Sequence, residues 1–582
     1  MILSNQKFSL LVKTFIIFFF MTLSISIVHR AVAVRVYYID VFRRTNTVEG
    51  WRGGFESIWN AHSGSIFLGV SSDILFSAVF AALLAIIARH RWVVFFAFTL
   101  LVFFYAANYE HIKYNFSHIN LRTIGEAFSF TFIAGQTTPS FAKNLLLLSF
   151  VCAIVWYLMK IGLLRRIGGG LALLLIIGSV FFPIKFSYFV PDWMQVNALL
   201  PRVANAKVST ELRESEVLDT ADFVTFPISE PKHNVLLIYL EGLSVGSIEH
   251  GDMKFLATLA KENISINRYF GNNILTINGL YSTLTGDFPN FHSKHLKWHT
   301  VEPLSEVAQR AVPTQLSAAG YQTAFLQSAP LGFMNKEPIL RNLGFSDVLG
   351  LESWDRAYAR NAWGIDDRAL FEHTLDYIDS IDTAAPWFIG LLTTGTHSPY
   401  NIPEGFLPNQ SNDRYRSLSY LDAAIENLMQ GLKERDLLSN TVVIFTSDES
   451  REPSLDNPMQ DRIHLHWLPL LIVHPSQTSM TIEAFIGSHR FPDILSKFIG
   501  EIEPASVNEL GNFQEPLIFA NPYSNTLLWF DTKRNELLFC KTADYECAVF
   551  EDVKDPLQIS ERHPERIMTF PLLRKEIERL EQ

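Results

Sequence analysis

The sequence predicts two fold classes in one chain: an all-α transmembrane bundle of five helices, then an α/β domain with a mostly parallel central sheet and a small antiparallel C-terminal sheet. Residues 1–190 hold nearly all of the long apolar runs, which predicts the membrane part. From Asn234 onward, short β-branched runs alternate with helical patterns, as in parallel sheets covered by helices. The runs TLLWFDT and ELLFCKT near the C-terminus indicate the antiparallel piece.

The membrane prediction rests on five apolar segments close to the ~20 residues that a bilayer-spanning helix needs. They are Phe8–Ile27, Ile66–Ala88, Trp92–Ala107, Asn144–Gly162 and Gly168–Phe189. Basic residues of the short loops mark the cytoplasmic side, and in a five-helix bundle they fall on one side. They are Lys7, Lys13, Arg89, Arg91, Lys160, Arg165 and Arg166, while Arg30, Arg35, Arg43 and Arg44 in the first loop break the pattern. Everything after Phe189 is then expected outside.

The predicted organisation is a transmembrane domain over 1–190, a polar and acidic linker over 191–230, and an extracytoplasmic domain over 231–582. In the last domain, the strand-like runs are VLLIYL, YQTAFL, WFIGLL and TVVIFT. The helical patterns are Asp252–Lys261, Leu304–Ala319, Ile365–Ile381 and Tyr420–Arg435. This alternation predicts a sheet with helices on both faces.

Charge and cysteine content restrict the function classes. The net charge of −11 argues against a nucleic-acid partner. Cys152 lies in a predicted span. Cys540 and Cys547 lie in LLFCKTADYECAVF, a pattern that predicts two strands joined by a short turn. An outside location permits a disulfide across this hairpin. Two free thiols agree equally well with the spacing.

Two predicted strands end on carboxylates. The run NVLLIYLE ends at Glu241, and TVVIFTSDE ends at Asp448 and Glu449. Continuous apolar runs are typical of strands buried on both faces, and α/β sheets build sites at the carboxyl ends of such strands. These carboxylates are candidate ligands of one cation, the alternative being ordinary strand-end acids. Asp448 and Glu449 reach one cation together only if the chain leaves strand geometry at Ser447.

Thr276 precedes the helix-compatible segment INGLYSTLTG. Its hydroxyl is expected near a helix N-terminus, where backbone N–H groups favour an anion. Beside a cation, such a hydroxyl can be deprotonated and attack phosphorus. The alternative makes Thr276 an ordinary N-cap.

Three histidines are further candidates. His397 follows a predicted strand in LLTTGTHSPYNIP, where it can contact a phosphate oxygen or protonate a leaving group. His464 and His466 alternate in DRIHLHWLPLLIVHP, which predicts both on one face as extra metal or anion contacts. Ordinary loop and surface histidines are the alternative for all three.

Taken in order, the motifs resemble a known family. NVLLIYLEGLS, LTINGLYSTLTGDFP, LGFMNKEPILRNLGF, WGIDDRALF, TTGTHSPYNIP, TVVIFTSDES and IGSHRFPDIL are similar to the lipoteichoic acid synthase and phosphoglycerol transferase branch of the sulfatase-like, alkaline phosphatase superfamily. The resemblance implies a sulfatase-like fold for the α/β domain. It also implies a bacterial cytoplasmic (inner) membrane protein with its catalytic domain on the outer, periplasmic side.

The resemblance also implies roles for individual residues. Glu241 and Asp448 correspond to metal ligands, Thr276 to a metal-bound nucleophile, and His397 to a substrate contact. Lys336 lies in a stretch that contacts the head group in relatives, and is a candidate phosphate contact. Glu449 departs from the family, which has histidine after the aspartate. A third carboxylate makes the expected divalent site harder, so Mn²⁺ or Mg²⁺ is favoured over Zn²⁺.

The implied activity is a phosphotransfer in which the threonine takes a head-group phosphoester from a membrane phospholipid, releases diacylglycerol and passes the group to an acceptor hydroxyl. The donor is phosphatidylglycerol or, for the alternative phosphoethanolamine transferase, phosphatidylethanolamine. The acceptor is an envelope glycan or lipid. Related sulfatases make an aldehyde from cysteine or serine, which Thr276 cannot do. Two alternatives remain. One is a phosphodiesterase that gives the intermediate to water, and the other is a binding or scaffold module that has lost catalysis at Glu449.

Overall fold

The structure is a computed structural model. It describes residues 5–37, 48–115, 131–160, 168–181, 197, 199, 233–249, 253–289, 291, 306–361, 363–381, 384–397, 400–410, 412–450, 458–502, 507, 509–513, 515–521, 526–541, 546–559 and 564–569. The chain divides into two compact units, Met1–Ala206 and Lys207–Gln582. The division falls inside the predicted linker 191–230, of which only residues 197 and 199 are described.

The described part of the first unit is helical. Its helices are α1 Asn5–Tyr37, α2 Val48–Ile86, α3 Arg91–Asn115, α4 Thr131–Lys160 and α5 Gly168–Phe181. Three of them are long and apolar enough to cross a membrane, over Leu10–Val34, Ile66–Ile86 and Trp92–Tyr109. The helix α4 carries a shorter apolar stretch, Phe141–Tyr157, and the predicted fifth span continues past α5 outside the described residues. Five spans therefore stay a prediction.

The helix α1 extends beyond the predicted first span, so Arg30 lies in this helix and not in a loop. The Arg30 guanidinium donates to both carboxylate oxygens of Asp73 in α2, at 2.7 and 2.9 Å. Both side chains are buried, and Asn197 also donates to Asp73, at 2.7 Å. Charged groups within a membrane are tolerated when they pair with each other. This pairing explains why Arg30 departs from the charge pattern of the loops.

The second unit alternates helices and strands. Its helices are α6 Val245–Glu249, α7 Lys254–Glu262, α8 Thr276–Thr285, α9 Glu306–Arg310, α10 Val312–Ala318, α11 Lys336–Asn342, α12 Asp367–Ser380, α13 Asp413–Glu434, α14 Pro458–His464 and α15 Phe491–Phe498. Its strands are β1 Asn234–Tyr239, β2 Ile264–Phe270, β3 Gln322–Gln327, β4 Asp347–Leu349, β5 Arg360–Asn361, β6 Gly364–Ile365, β7 Trp387–Leu392, β8 Thr441–Thr446, β9 Trp467–Leu468, β10 Leu471–Val473, β11 Met480–Gly487, β12 Leu517–Asn521, β13 Thr526–Asp531, β14 Glu536–Lys541, β15 Glu546–Phe550 and β16 Arg566–Thr569.

The central sheet is mixed and mostly parallel, as predicted. Its nine strands run in the order β11, β2, β10, β8, β1, β7, β3, β4, with β9 paired to β2. β1 is parallel to β7 and β8, β3 is parallel to β7 and β4, and β11 is parallel to β2. Among the described strands of this sheet, only the pairings of β10 and β9 are antiparallel. The strand β1 therefore lies in the middle, with the ends of β7 and β8 on either side.

Both faces of β1 are covered. Val235, Leu237 and Tyr239 join an apolar cluster with α8, α10 and α15, and the alternate residues join a second cluster with α12 and α13. Every hydrophobic residue of β1 is fully buried. Burial on both faces explains why the strand has a continuous apolar run without alternation.

The small C-terminal sheet is antiparallel throughout and runs in chain order from β12 to β16. Cys540 in β14 faces Cys547 in β15, and a disulfide joins them. Of the two outcomes that the sequence leaves open, the structure contains the bridge. Phe288 and Phe291 pack against this sheet.

Two predicted helices differ from those observed. The predicted helix Leu304–Ala319 is the pair α9 and α10, because Ala311 is extended and Pro313 lacks the N–H that a continuous helix needs. The helix predicted to start at Tyr420 starts at Asp413, since the Asn412 side chain caps it by accepting from the Arg414 N–H.

Candidate active site and metal centre

Three carboxylates meet at the carboxyl ends of β1 and β8. One oxygen from each of Glu241, Asp448 and Glu449 lies within 4.8 Å of the other two. All three side chains are buried. In the parallel pairing of β1 with β8, Tyr239 lies opposite Thr446. Glu241 is two residues beyond Tyr239 and Asp448 is two residues beyond Thr446, so both acids leave the sheet at the same level. Neighbouring parallel strands thus bring together acids that are far apart in the chain.

Both strand ends turn sharply beside this carboxylate cluster. Gly242 has a φ of 62°, a conformation that favours glycine, and its N–H donates to Asp448 Oδ1 at 3.2 Å. The hydroxyl of Ser447 accepts from the Leu243 N–H at 3.1 Å. Because β8 ends at Thr446, the chain leaves strand geometry at Ser447. This is the condition under which Asp448 and Glu449 reach one cation.

The cluster fits a divalent metal ion. Asp448 Oδ2 is fully buried and has no hydrogen-bond partner within the part of the chain that the structure describes. Buried carboxylates this close repel each other unless a cation lies between them. An all-oxygen donor set suits hard divalent ions. When bound, such an ion supplies Lewis acidity and lowers the pKa of a hydroxyl or water ligand.

Lys336, a candidate phosphate contact, lies close enough to interact with all three carboxylates. It begins α11 and is only 2% exposed. Burial lowers the pKa of the Lys336 ammonium, while the negative charges of Glu241, Asp448 and Glu449 act in the opposite direction. Its Nζ lies 5.4 Å from the ring centroid of Phe333. The structure therefore places a buried lysine within the electrostatic field of the carboxylate cluster.

Thr276 is the first residue of α8, and the N-cap is Leu275, without a side-chain cap. The N-cap alternative for Thr276 is therefore not what the structure contains, while its role as a nucleophile stays a prediction. Thr276 itself is buried at the start of this helix. One turn later, a Cβ on Gly279 would lie 1.9 Å from the Asp448 carbonyl oxygen. The absence of a side chain at Gly279 thus lets α8 pack directly on the backbone of Asp448.

His397 follows β7 and is buried against the ring of Trp363. Its ring centroid lies 4.0 Å from that of Trp363, which in turn lies 5.3 Å from Phe333. Phe333 also faces Lys336. A continuous series of side-chain contacts therefore runs from His397 through Trp363 and Phe333 to Lys336.

His464 and His466 do not join the carboxylate cluster, which contains no histidine among the described residues. His464 ends α14 and His466 lies in a turn, so the predicted one-sided alternation is wrong. The His466 Nδ1 donates to the Gly271 carbonyl at 2.9 Å. Burial lowers the pKa of His466 to about 4, so its ring is neutral near pH 7.

Sequence reasoning missed three residues that shape this region: Gly279, Trp363 and Asp367. Trp363 and Asp367 lie in the WGIDDRALF motif. The motif marks residues 363–371 as similar to the family, but it does not predict which residues they contact. A glycine inside a helical pattern is a weak signal of close packing.

A mixed, mostly parallel sheet with a carboxylate cluster at the ends of its central strands defines an α/β domain of the kind that builds its site at the carboxyl edge. Residues 233–520 match the protein family described as Sulfatase. This part of the chain is therefore a sulfatase-family domain.

Individual relatives match shorter regions. The chain is 28% identical over 249 residues to the inner membrane protein YejM of Salmonella typhi, covering 40% of this chain and 37% of that protein. It is 24% identical over 140 residues to lipoteichoic acid synthase 1 of Bacillus subtilis, covering 22% of each. It is 28% identical over 149 residues to phosphoglycerol transferase I of Citrobacter koseri, covering 23% of this chain and 19% of that protein.

Among solved structures, the lipoteichoic acid synthase LtaP from Listeria monocytogenes is similar with a TM-score of 0.45 and 14% identity. The similarity covers 63% of this chain and 94% of that chain.

Proposed function

We propose that the protein is a membrane-anchored phosphotransferase. It moves a phospholipid head-group phosphoester, glycerol phosphate from phosphatidylglycerol, onto a hydroxyl of a cell-envelope glycan or lipid. The observation that carries this proposal is the packing of the Thr276 helix on Asp448, beside a buried cluster of three carboxylates. A hydroxyl next to such a cluster is the arrangement that metal-assisted attack on phosphorus requires.

The reaction has two displacements at phosphorus. In the first, Thr276 Oγ1 loses its proton and bonds to the phosphorus of the donor, while the bond from phosphorus to the diacylglycerol oxygen breaks. Diacylglycerol leaves after taking up a proton. In the second, the acceptor hydroxyl loses its proton and attacks the phosphothreonine ester, and Thr276 Oγ1 leaves and is protonated. Each step exchanges one P–O bond for another, so no oxidant or reductant is needed.

The surrounding residues have separate roles in this scheme. Glu241, Asp448 and Glu449 hold the divalent ion, with Mn²⁺ or Mg²⁺ preferred because all three donors are carboxylates. Lys336 neutralises charge on the phosphate oxygens. His397, held against Trp363, donates to the phosphate or to the leaving oxygen.

The names of two relatives favour glycerol phosphate over phosphoethanolamine as the transferred group. They are phosphoglycerol transferase I and lipoteichoic acid synthase 1.

We place the protein in the bacterial cytoplasmic membrane, with the sulfatase-family domain on the outer side. Three candidate spans, the Cys540–Cys547 disulfide and a relative named as an inner membrane protein support this location. A tethered domain suits a donor that stays in the bilayer.

The test uses full-length protein in detergent with mixed bacterial phospholipids and, separately, Mn²⁺, Mg²⁺ or Zn²⁺. Mass spectrometry follows diacylglycerol release and any glycerophosphate adduct on Thr276. We expect both in the wild type and neither in Thr276→Ala. A matched control is Thr285→Ala in the same helix, because the Thr285 hydroxyl donates to the Tyr281 carbonyl and is already engaged.

The outcomes separate three functions. An ethanolamine phosphate adduct would replace the proposed donor with phosphatidylethanolamine. No adduct and no diacylglycerol with any of the three metals would refute phosphotransfer and leave a binding or scaffold role.

A further inference from the structure

Asp367 is a buried carboxylate outside the metal-type cluster. It is the first residue of α12 and is fully buried. Its Oδ1 accepts hydrogen bonds from the Thr394 N–H at 3.2 Å and the Gly395 N–H at 2.9 Å. Those two residues belong to the segment 393–397 that leads from β7 to His397, called the β7 turn below. The carboxylate thus holds the backbone of a segment that carries a candidate catalytic group.

The contact is closely packed. A Cβ on Gly395 would lie 2.3 Å from Asp367 Oδ2 and 3.0 Å from its Oδ1. A side chain at position 395 would therefore displace either the Asp367 carboxylate or the β7 turn, and in both cases it would disrupt this contact. Glycine at this position permits the short approach that both hydrogen bonds need.

The β7 turn links Asp367 to His397 and to the carboxylate cluster. Within the turn, the His397 N–H donates to the Thr394 carbonyl at 3.0 Å. On its other side, Thr393 Oγ1 accepts from the Glu241 N–H at 3.0 Å, and Thr396 Oγ1 donates to the Glu241 carbonyl. A shift of the turn away from Asp367 would move both the His397 ring and the backbone of Glu241.

Helix capping does not explain why Asp367 is a buried carboxylate, because the neighbouring Asp366 is the residue that caps α12. Asp366 accepts from the Ala369 N–H, from the Tyr358 and Ala359 N–H groups, and from the Tyr420 hydroxyl. Within the described residues, no basic side chain pairs with Asp367. Burial raises the pKa of Asp367 to about 7, and the two backbone N–H groups counteract this rise. Burying a carboxylate without a cationic partner costs folding free energy, and such groups are concentrated at functional sites.

We propose that Asp367 is a positioning residue that holds the β7 turn and thereby sets the places of His397 and Glu241 in the phosphotransfer site. The catalytic part of this inference rests on the proposed function. The structural part does not, because the position of His397 can be measured without a substrate.

The test compares Asp367→Asn, Asp367→Ala and Gly395→Ala in the full-length protein. Asparagine keeps an acceptor for the two N–H groups, whereas alanine has none. Gly395→Ala disturbs the same contact from the other side. The matched control is Asp422→Asn, because Asp422 also accepts two backbone N–H groups, from Phe255 and Leu256, but lies on α13 away from the β7 turn.

The substrate-free measurement is the rate at which diethyl pyrocarbonate modifies His397, followed by peptide mass spectrometry. We expect Asp367→Ala and Gly395→Ala to raise this rate at least threefold, Asp367→Asn to raise it less, and Asp422→Asn to leave it unchanged. In the double variant that combines Asp367→Ala with Gly395→Ala, the modification rate should be no higher than in the more reactive single variant, because both changes disrupt the same contact. An unchanged rate in Asp367→Ala, or additive effects in the double variant, would overturn the positioning role.

The catalytic measurement is the kcat and donor KM for glycerol phosphate transfer. Displacement of a catalytic group by about 1 Å lowers rates by about 100-fold. We expect Asp367→Ala to lower kcat at least tenfold with the donor KM changed less than threefold. A wild type without transfer activity would refute the proposed function alone, and the His397 modification rates would still decide the role of Asp367.

Discussion

Gly279→Ala tests whether the close packing of α8 on Asp448 matters for the site. In most helices, glycine to alanine in the interior stabilises by about 1 kcal/mol. Here the new Cβ would lie 1.9 Å from the Asp448 carbonyl oxygen and 2.8 Å from the carbonyl carbon, whereas ordinary contacts begin at 3.4 Å. The obstacle is backbone, which cannot rotate away. The helix and Asp448 must therefore separate by about 1.5 Å, and overpacking of this kind costs about 1–3 kcal/mol.

The separation has a specific consequence for metal binding. Carboxylate oxygens bind divalent ions within a window of a few tenths of an ångström, near 2.0–2.6 Å. A shift of about 1.5 Å at Asp448 removes it from this window. We expect the dissociation constant for Mn²⁺ to rise at least tenfold, which corresponds to about 1.4 kcal/mol. Isothermal titration of metal-free, full-length protein with Mn²⁺ measures this without requiring catalysis.

The matched control is Gly431→Ala in the last turn of α13. There the new Cβ would lie 2.5 Å from Leu375 Cδ1, the end of a flexible side chain that can move. We expect its Mn²⁺ affinity to equal that of the wild type. If Gly279→Ala binds Mn²⁺ as tightly as Gly431→Ala, the packing of α8 on Asp448 does not position the cluster, and the argument for Thr276 as its neighbour fails.

Two further predictions concern Glu449 and Glu515. Glu449→His replaces a hard ligand with imidazole, so the ratio of Zn²⁺ to Mn²⁺ affinity should rise at least tenfold by calorimetry; an unchanged ratio would show that Glu449 is not a ligand. Burial raises the pKa of Glu515, but His489 and Arg490 outweigh it and lower the pKa to about 2. The stability from this ionised group is present above pH ~4.5 and lost as pH falls towards ~2. Glu515→Gln should therefore lower the free energy of unfolding by roughly 3 kcal/mol at pH 7, and denaturant titrations should show the difference shrinking below pH ~4.5. A difference that is the same at pH 7 and pH 2.5 would contradict this assignment.

The strands of the site were predictable because their signals are local. VLLIYL, WFIGLL and TVVIFT are buried strands whose apolar runs appear directly in the sequence. The position of carboxylates at strand ends was predictable for the same reason. The expectation for His464 and His466 failed because alternation in the sequence was read as extended structure, while residues 458–464 form a helix.

The neighbours of the site were not predictable from local patterns. The apolar sequences of the strands do not predict that β1 lies between β7 and β8, because the strand order depends on how the whole sheet assembles. The approach of Gly279 to Asp448 and of Asp367 to Gly395 joins segments that are distant in the chain. Such contacts depend on the packing of helices against the completed sheet.

The central place of β1 also has a consequence during synthesis. β1 comes first among the described strands of the second unit, and its partners β7 and β8 follow about 150 and 200 residues later. At ribosomal rates of about 5–20 residues per second, synthesis of the chain from β1 to β8 takes roughly 10 s or more. During this time β1 lacks both of the strands that later pair with its edges. An apolar strand with open edges is prone to pair with other chains. Newly synthesised chains therefore pass through a period when β1 is exposed to such pairing. Mutations that delay the folding of β7 or β8 should reduce yield before they affect the finished fold.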